Sequence, residues 1–259
     1  SIMSYSALAA IAIQSNQNDQ HGGQSIPAFD YYMAPGVLKT FKKQFKQHIS
    51  DLLDYKDLNS FVNMDRIAAI IDKLDSIKLD IDMFSPFYKE SEMLKNDFQK
   101  CYDKALAKTN RTTYQAMEAF IHNLNTMHSR AGAQVPFSSV NFGTDISPEG
   151  HMVSENFLLA TEAGLGKGET PIFPVSIFKV KEGINYNPED PNYDLFKLAC
   201  RVSSKRLFPN FSFIDAPFNL SFYKPGDFRT EVGYMGCRTR VMSDITDLNN
   251  QTTGGRGNL

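Results

Sequence analysis

Gln134-Val135-Pro136-Phe137-Ser138-Ser139-Val140-Asn141-Phe142 and Ile172-Phe173-Pro174-Val175-Ser176-Ile177-Phe178-Lys179-Val180 decide the reading of the fold. Both are β-type runs. Together with Phe211–Ile214 they alternate with helical patterns over Glu155–Ala163 and Tyr193–Ser203, the order of βαβ units in a parallel sheet. The second half, residues 131–259, therefore reads as α/β, and its functional groups are expected on loops beyond the strand ends.

The first half, residues 1–130, is predicted to be mainly helical. An Ala/Ile-rich helix covers about the first 13 residues and gives way to a polar loop, Gln14 to Gln24, holding the Gly22-Gly23 pair. After Pro35-Gly36 the residues Leu38, Phe41, Phe45, Ile49 and Leu52 form one apolar stripe, with Lys39, Lys42, Lys43 and Lys46 mostly off it. Met64, Ile67, Ile70, Ile71 and Leu74 mark a second amphipathic helix, and Met93, Leu94, Phe98, Cys101 and Tyr102 begin a third. The run Ala107 to Thr113 interrupts that stripe, and Thr112 with Gln115 offers a capping box for a fourth helix carrying Met117, Phe120, Ile121, Leu124 and Met127.

The chain has 259 residues, of which 42% are apolar and 12% aromatic, enough to build a real core and to exclude a disordered or collagenous chain. Its 27 basic residues against 29 acidic ones leave a net charge of −2, so no global positive field exists to coat nucleic acid or an anionic membrane. The stretch Tyr5 to Ile13 is too short to span a bilayer and lacks a basic leader. Three cysteines, an odd number without a CxxC pair, argue against a disulfide framework or a cysteine-built zinc site and fit a reducing, cytoplasmic setting.

Several motifs carry two readings. Gly164-Leu165-Gly166-Lys167-Gly168 follows a helix and precedes a strand, the reverse of the order that aims helix amides at a phosphate; it reads as a helix C-cap and turn, or as a loop bringing Lys167 to a ligand. The five histidines form no helix-spaced metal pair, and no metal site is expected here. The lysine-rich helix face is either its wet side or an anion contact. Cys101 and Cys200 fall on apolar helix stripes and are expected to be buried packing thiols. Cys237 differs. In Gly233-Tyr234-Met235-Gly236-Cys237-Arg238-Thr239-Arg240 two glycines permit a tight loop tip, and two arginines favour a thiolate or an anionic ligand. Taken alone, a lone cysteine is more often inert.

Met235-Gly236-Cys237-Arg238, followed by Gly255-Arg256-Gly257-Asn258-Leu259, resembles the active-cysteine loop and next strand entry of the anaerobic (class III) ribonucleoside-triphosphate reductases, oxygen-sensitive glycyl-radical enzymes. The 21-residue separation of Cys237 and Asn258 fits that pattern. His21 to Pro27, Ser129 to Phe137 and Gly166 to Pro174 resemble further family stretches, in the family's order and across the whole chain.

The resemblance implies that the chain is one incomplete domain, residues 1–259, forming part of a ten-stranded α/β barrel. It implies that Cys237 becomes a thiyl radical, that Asn258 holds the ribose hydroxyls or the reductant, and that Gln134, Ser138, Ser139 and Arg238 line the substrate pocket. Formate is the implied reductant. Ribonucleoside triphosphates are the implied substrates, deoxynucleoside triphosphates and ATP the effectors, and a radical-SAM activating enzyme the partner. The helices at 36–53 and 113–129 resemble those building the family's dimer interface and effector site. The glycyl-radical loop, the four-cysteine zinc site, the ATP cone and the family's second cysteine have no counterpart here, so the sequence is expected to be an internal piece of a longer, cytoplasmic enzyme and inactive alone.

Two alternatives stay open. One is a formate-lyase-like glycyl-radical enzyme, disfavoured because Cys237 is followed by Arg238 rather than a second cysteine. The other is a non-catalytic nucleotide-sensing and dimerisation module.

Overall fold

The computed structural model describes residues 1–19, 22–58, 61–89, 91–128, 134–221, 223–236 and 239–242, and the backbone of 255–257. Helix α1 (Ile2–Asp19) leads to strand β1 (Gln24–Ile26) and to a helical layer. That layer comprises α2 (Phe29–Tyr55), α3 (Met64–Asp72), the one-turn α4 (Ser85–Tyr88) and the 35-residue α5 (Glu92–Thr126). The chain then alternates: β2 (Ser138–Phe142), α6 (Pro148–Ala163), β3 (Val175–Val180), α7 (Tyr193–Arg206) and β4 (Asn210–Phe213). After the short α8 (Pro217–Leu220) come β5 (Gly233–Met235), β6 (Thr239–Met242) and β7 (Gly255–Gly257).

Strands β1 to β4 form a parallel sheet in the order β1-β2-β3-β4, with Ser25 opposite Ser139, Val140 opposite Ser176 and Phe178 opposite Phe211. Every step moves the same way, and right-handed crossovers that never reverse put their helices on one face. The sheet is therefore singly wound, with α6 and α7 covering the face that carries Val140, Phe142 and Phe178. Phe142 meets Phe157 of α6 at 5.1 Å between ring centres, and Phe178 stacks on Phe196 of α7 at 6.3 Å. Phe29 of α2, 5.1 Å from Phe120 of α5 and 5.5 Å from Phe157, joins the helical layer to this core. Strands β5 to β7 form a separate antiparallel sheet, with Met235 opposite Thr239 and Val241 opposite Arg256. The expected α/β class with a mainly helical first half is present.

Four local expectations are corrected. Helix α1 runs on through the polar residues to Asp19, because Ile13 and Gln17 continue its buried face. Helix α2 begins at Phe29, ahead of Pro35: the missing proline donor is offset by a stripe, Phe29, Met33, Val37, Phe41, Phe45, Ile49 and Leu53, buried along the whole helix. Gly36 lets α1 pass close by, since a Cβ there would lie 3.1 Å from Ile2 Cα. The third and fourth helices are one. Instead of capping, the threonines at 109, 112 and 113 turn their hydroxyls back to the carbonyls of Ala105, Lys108 and Thr109, at 2.7 to 2.9 Å, and the helix continues. Finally, Cys101 is buried but Cys200 is exposed, one position off the stripe formed by Leu195, Ala199 and Val202.

Candidate active site on the polar face of the sheet

Side chains alternate along a strand, so the face turned away from α6 and α7 receives Ser25 of β1, Ser139 and Asn141 of β2, Lys179 of β3 and Ser212 of β4. Polar groups set among Val175 and Ile177 on the buried face of a parallel sheet are costly unless paired. For Ser25, Ser139, Asn141 and Lys179 the pairing is with β5 and the residues flanking it.

Asn141 grips both backbone polar groups of one residue: its Oδ1 accepts from the Tyr234 amide at 2.8 Å, and its Nδ2 donates to the Tyr234 carbonyl at 2.9 Å. Ser25 donates to the same carbonyl at 2.8 Å. Ser139 Oγ accepts from the Gly236 amide at 2.7 Å. Gly233 permits the approach, because a Cβ there would sit 2.9 Å from Pro27 Cβ, and Gly236 adopts φ +59° against the ring of Phe137.

The base of this segment is held by charge. Lys179 and Glu231, both buried, form an ion pair; Lys179 Nζ also donates to the Pro27 carbonyl at 3.2 Å, and Thr144 Oγ1 donates to Glu231 at 2.7 Å. Behind it, Asp30 accepts from the amides of Gly143 at 2.7 Å and Asp145 at 3.1 Å, fixing the loop that leaves β2. Burial raises the Asp30 carboxyl above the ordinary carboxylate range despite Lys179 and those amides. Burial, and then the charge of Asp30, pushes Asp145 up to about 6.

Beside β5 lies a cavity of about 410 Å³ lined by Ile177, Asn210, Ser212, Ala216, Asn219 and Tyr234, among others. Ser212 Oγ is buried there without a hydrogen-bond partner. Arg240 lies over the Phe218 ring and donates to the Phe218 carbonyl at 2.6 Å.

Of the residues singled out from the sequence, Ser139 lies on this polar face. Ser138, fully buried, alternates to the other face and donates to the Pro136 carbonyl at 3.3 Å. Gln134 is exposed at the start of the run. Cys237, Arg238 and Asn258 lie outside the described residues; in sequence, the first two fall between β5 and β6, and Asn258 follows β7. The sequence reading missed Ser25, Asn141, Lys179 and Glu231. A signal existed for two of them: Asn141 falls between Val140 and Phe142 and Lys179 between Phe178 and Val180, where an amide or ammonium needs a dedicated partner.

The glycine-rich turn is a helix end. Gly164 caps α6 at φ +84°, and the Arg206 guanidinium donates to the carbonyls of Glu162, Ala163 and Gly168. That surrounds Arg206 with carbonyls. The lysine face of α2 lines a groove of about 420 Å³, where Lys46 pairs with Asp72 at 2.7 Å and Lys42 donates to the Asp72 carbonyl at 2.9 Å. No metal-binding cluster occurs among the described residues, and none of their helices is long and apolar enough to cross a membrane.

A singly wound parallel sheet with polar groups grasping a loop-bearing hairpin defines an α/β scaffold with its candidate chemistry on one face. Comparison with known proteins makes the assignment specific: the family model described as anaerobic ribonucleoside-triphosphate reductase matches residues 1–259, and the chain belongs to that family. The anaerobic ribonucleoside-triphosphate reductase of Escherichia coli K12 is 33% identical over 156 residues, which is 60% of this chain and 21% of that protein. The Enterobacteria phage T4 protein of the same name is 35% identical over 156 residues, 60% of this chain and 25% of the relative. The Salmonella typhimurium protein is 31% identical over 188 residues, 69% of this chain and 25% of the relative. The matched stretches thus cover about a quarter or less of these relatives.

Proposed function

We propose that this chain is the part of an anaerobic ribonucleotide reductase that carries the reactive thiol, Cys237, and that the complete enzyme converts ribonucleoside triphosphates to 2′-deoxyribonucleoside triphosphates. The observation that carries the reading is the seating of residues 233–236 on the polar face of a singly wound sheet, immediately before Cys237 in sequence and beside a cavity of about 410 Å³. Cavities of a few hundred Å³ suit small-molecule ligands. A sheet that steps one way with its helices on one face is also the arrangement that closes into a barrel, which supports the ten-stranded form.

A glycyl radical, installed by a radical-SAM partner, would supply the hydrogen-atom acceptor that lets Cys237 act as a thiyl radical. The Cys237 sulfur then takes the ribose 3′ hydrogen, forming S–H and leaving a carbon radical beside the 2′-hydroxyl. That hydroxyl leaves with a proton as water. With formate as reductant the reaction balances as ribonucleotide plus formate plus a proton giving deoxyribonucleotide, carbon dioxide and water. Asn258, which offers two donors and an acceptor, is assigned to hold the ribose hydroxyls or formate. Of the four residues the resemblance puts at the pocket, Gln134 and Arg238 are assigned to its wall; Ser139 serves it through the Gly236 amide it holds, and Ser138 turns to the helix-covered face of the sheet. The α2 and α5 faces are assigned to the homodimer contact and to deoxynucleoside triphosphate and ATP effectors, with the lysine groove nearest to that task. The setting is cytoplasmic.

The test is anaerobic turnover by the complete polypeptide with isotopically labelled formate. Deoxynucleotide and labelled carbon dioxide in equal amounts are expected. Deoxynucleotide formed at the same rate without formate contradicts the assigned reductant, and no deoxynucleotide under any reductant contradicts the function.

A further inference from the structure

We propose that Asn141 and Ser139 are positioning residues for Cys237, setting where its sulfur stands by holding the backbone of Tyr234 and Gly236 just before it in the chain. This deepens the reading above and rests on Cys237 being the reactive thiol.

The β5 segment lies on the polar face of the sheet and is attached there by side chains. Asn141 presents its amide to Tyr234 as a neighbouring strand would present a peptide group, accepting from the amide at 2.8 Å and donating to the carbonyl at 2.9 Å. Its Nδ2 lies 3.2 Å from Ser25 Oγ, and Ser25 donates to the same Tyr234 carbonyl, so the clip is itself braced from β1. Two residues on, Ser139 accepts the Gly236 amide at 2.7 Å. Ser139 and Asn141 are both fully buried. They stand on consecutive polar-face positions of one strand, so they space their two grips by the rigid repeat of β2.

No wholly apolar strand could make this attachment. Isoleucine or valine at 141 would leave the Tyr234 amide without its acceptor and its carbonyl with the Ser25 hydroxyl alone, and alanine at 139 would leave the Gly236 amide without its acceptor. A displacement of about 1 Å in a reacting group can cost on the order of 100-fold in rate, so seating of this backbone bears on turnover more than on nucleotide affinity. That distinguishes the inference from a role for Ser139 in the pocket wall, which affects substrate binding.

The experiment is steady-state anaerobic reduction by the activated, complete polypeptide carrying Ser139→Ala, Asn141→Ala or Cys237→Ser, with the glycyl radical counted by electron paramagnetic resonance. Ser139→Ala and Asn141→Ala are expected to lower kcat about 10-fold or more, with KM for the nucleotide changed less than about 2-fold and the radical yield kept. Unchanged kcat in both variants overturns the inference, as does a raised KM at unchanged kcat. If Asn141→Ala proves insoluble, Ser139→Ala alone decides, since it removes one hydroxyl and no volume the strand needs. Cys237→Ser separates the two readings: turnover retained there overturns the role of Cys237, whereas turnover lost there but normal in the other two variants overturns only the positioning role.

Discussion

The hydroxyl of Ser139 accepts a 2.7 Å hydrogen bond from the amide of Gly236, so a side chain of the second parallel strand holds the backbone one residue before Cys237. The same seating demands close approach at Gly233, where a Cβ would meet Pro27 Cβ at 2.9 Å and Pro27 Cα at 3.1 Å. Gly233→Ala is therefore expected to destabilise the fold by about 1–3 kcal/mol, the usual cost of overpacking. Urea denaturation measures it, and an unchanged midpoint contradicts the packing.

Lys179 and Glu231 fasten the start of that segment to the end of the third strand, with Thr144 as a further donor. Removing one partner of a fully buried pair leaves a charge without compensation. Lys179→Met is expected to cost about 3–5 kcal/mol. The double variant Lys179→Met/Glu231→Leu should recover a large part of it, since no lone charge remains. A single-variant loss under about 1 kcal/mol in urea melts would show the pair to be dispensable.

Asp145 gives the fold a pH dependence of known sign. Its carboxyl is pushed up to about 6 in the folded chain, by burial and then by Asp30, against 3.8 for a solvated aspartate. The folded state therefore binds the proton more tightly. The resulting stability is complete below about pH 4 and is lost as the pH rises through about 6, a change of roughly 3 kcal/mol. Asp145→Asn should flatten this part of the stability profile, and parallel curves for the two proteins would contradict the assignment.

Cys101 and Cys200 should differ sharply toward alkylating reagents. Burial pushes the Cys101 thiol up to about 11, and its sulfur donates to the His48 carbonyl at 3.3 Å. Cys200 is exposed. At pH 8, iodoacetamide is expected to modify Cys200 in the native chain and Cys101 only after denaturation, because the thiolate is the nucleophile. Mass mapping of the labelled peptides reads this out, and equal labelling would mean that the α2–α5 contact around Cys101 opens readily.

The sequence reveals the alternating half of this fold because the strand runs around Val140 and Ile177 are apolar and bounded, and their helices carry clear stripes. It conceals β1, three residues in a polar stretch, whose strand character comes from pairing with β2 rather than from its own composition. It also conceals the continuity of α5, since Thr109 and Thr113 look like helix breakers until their hydroxyls are seen bonded to carbonyls one turn back. At the site, Gly233 and Gly236, which flank the turn into Cys237 in sequence, are legible from spacing. The residues that hold β5 are not, because Ser25 and Asn141 act on backbone 209 and 93 positions away, and no local pattern records so distant a partner.

The central claim, that one sulfur at position 237 carries the chemistry, is tested most directly by Cys237→Ser in the complete, radical-bearing reductase. Glycyl radical formed in normal yield together with complete loss of deoxynucleotide production is the expected result. Deoxynucleotide production continuing in that variant would contradict the account.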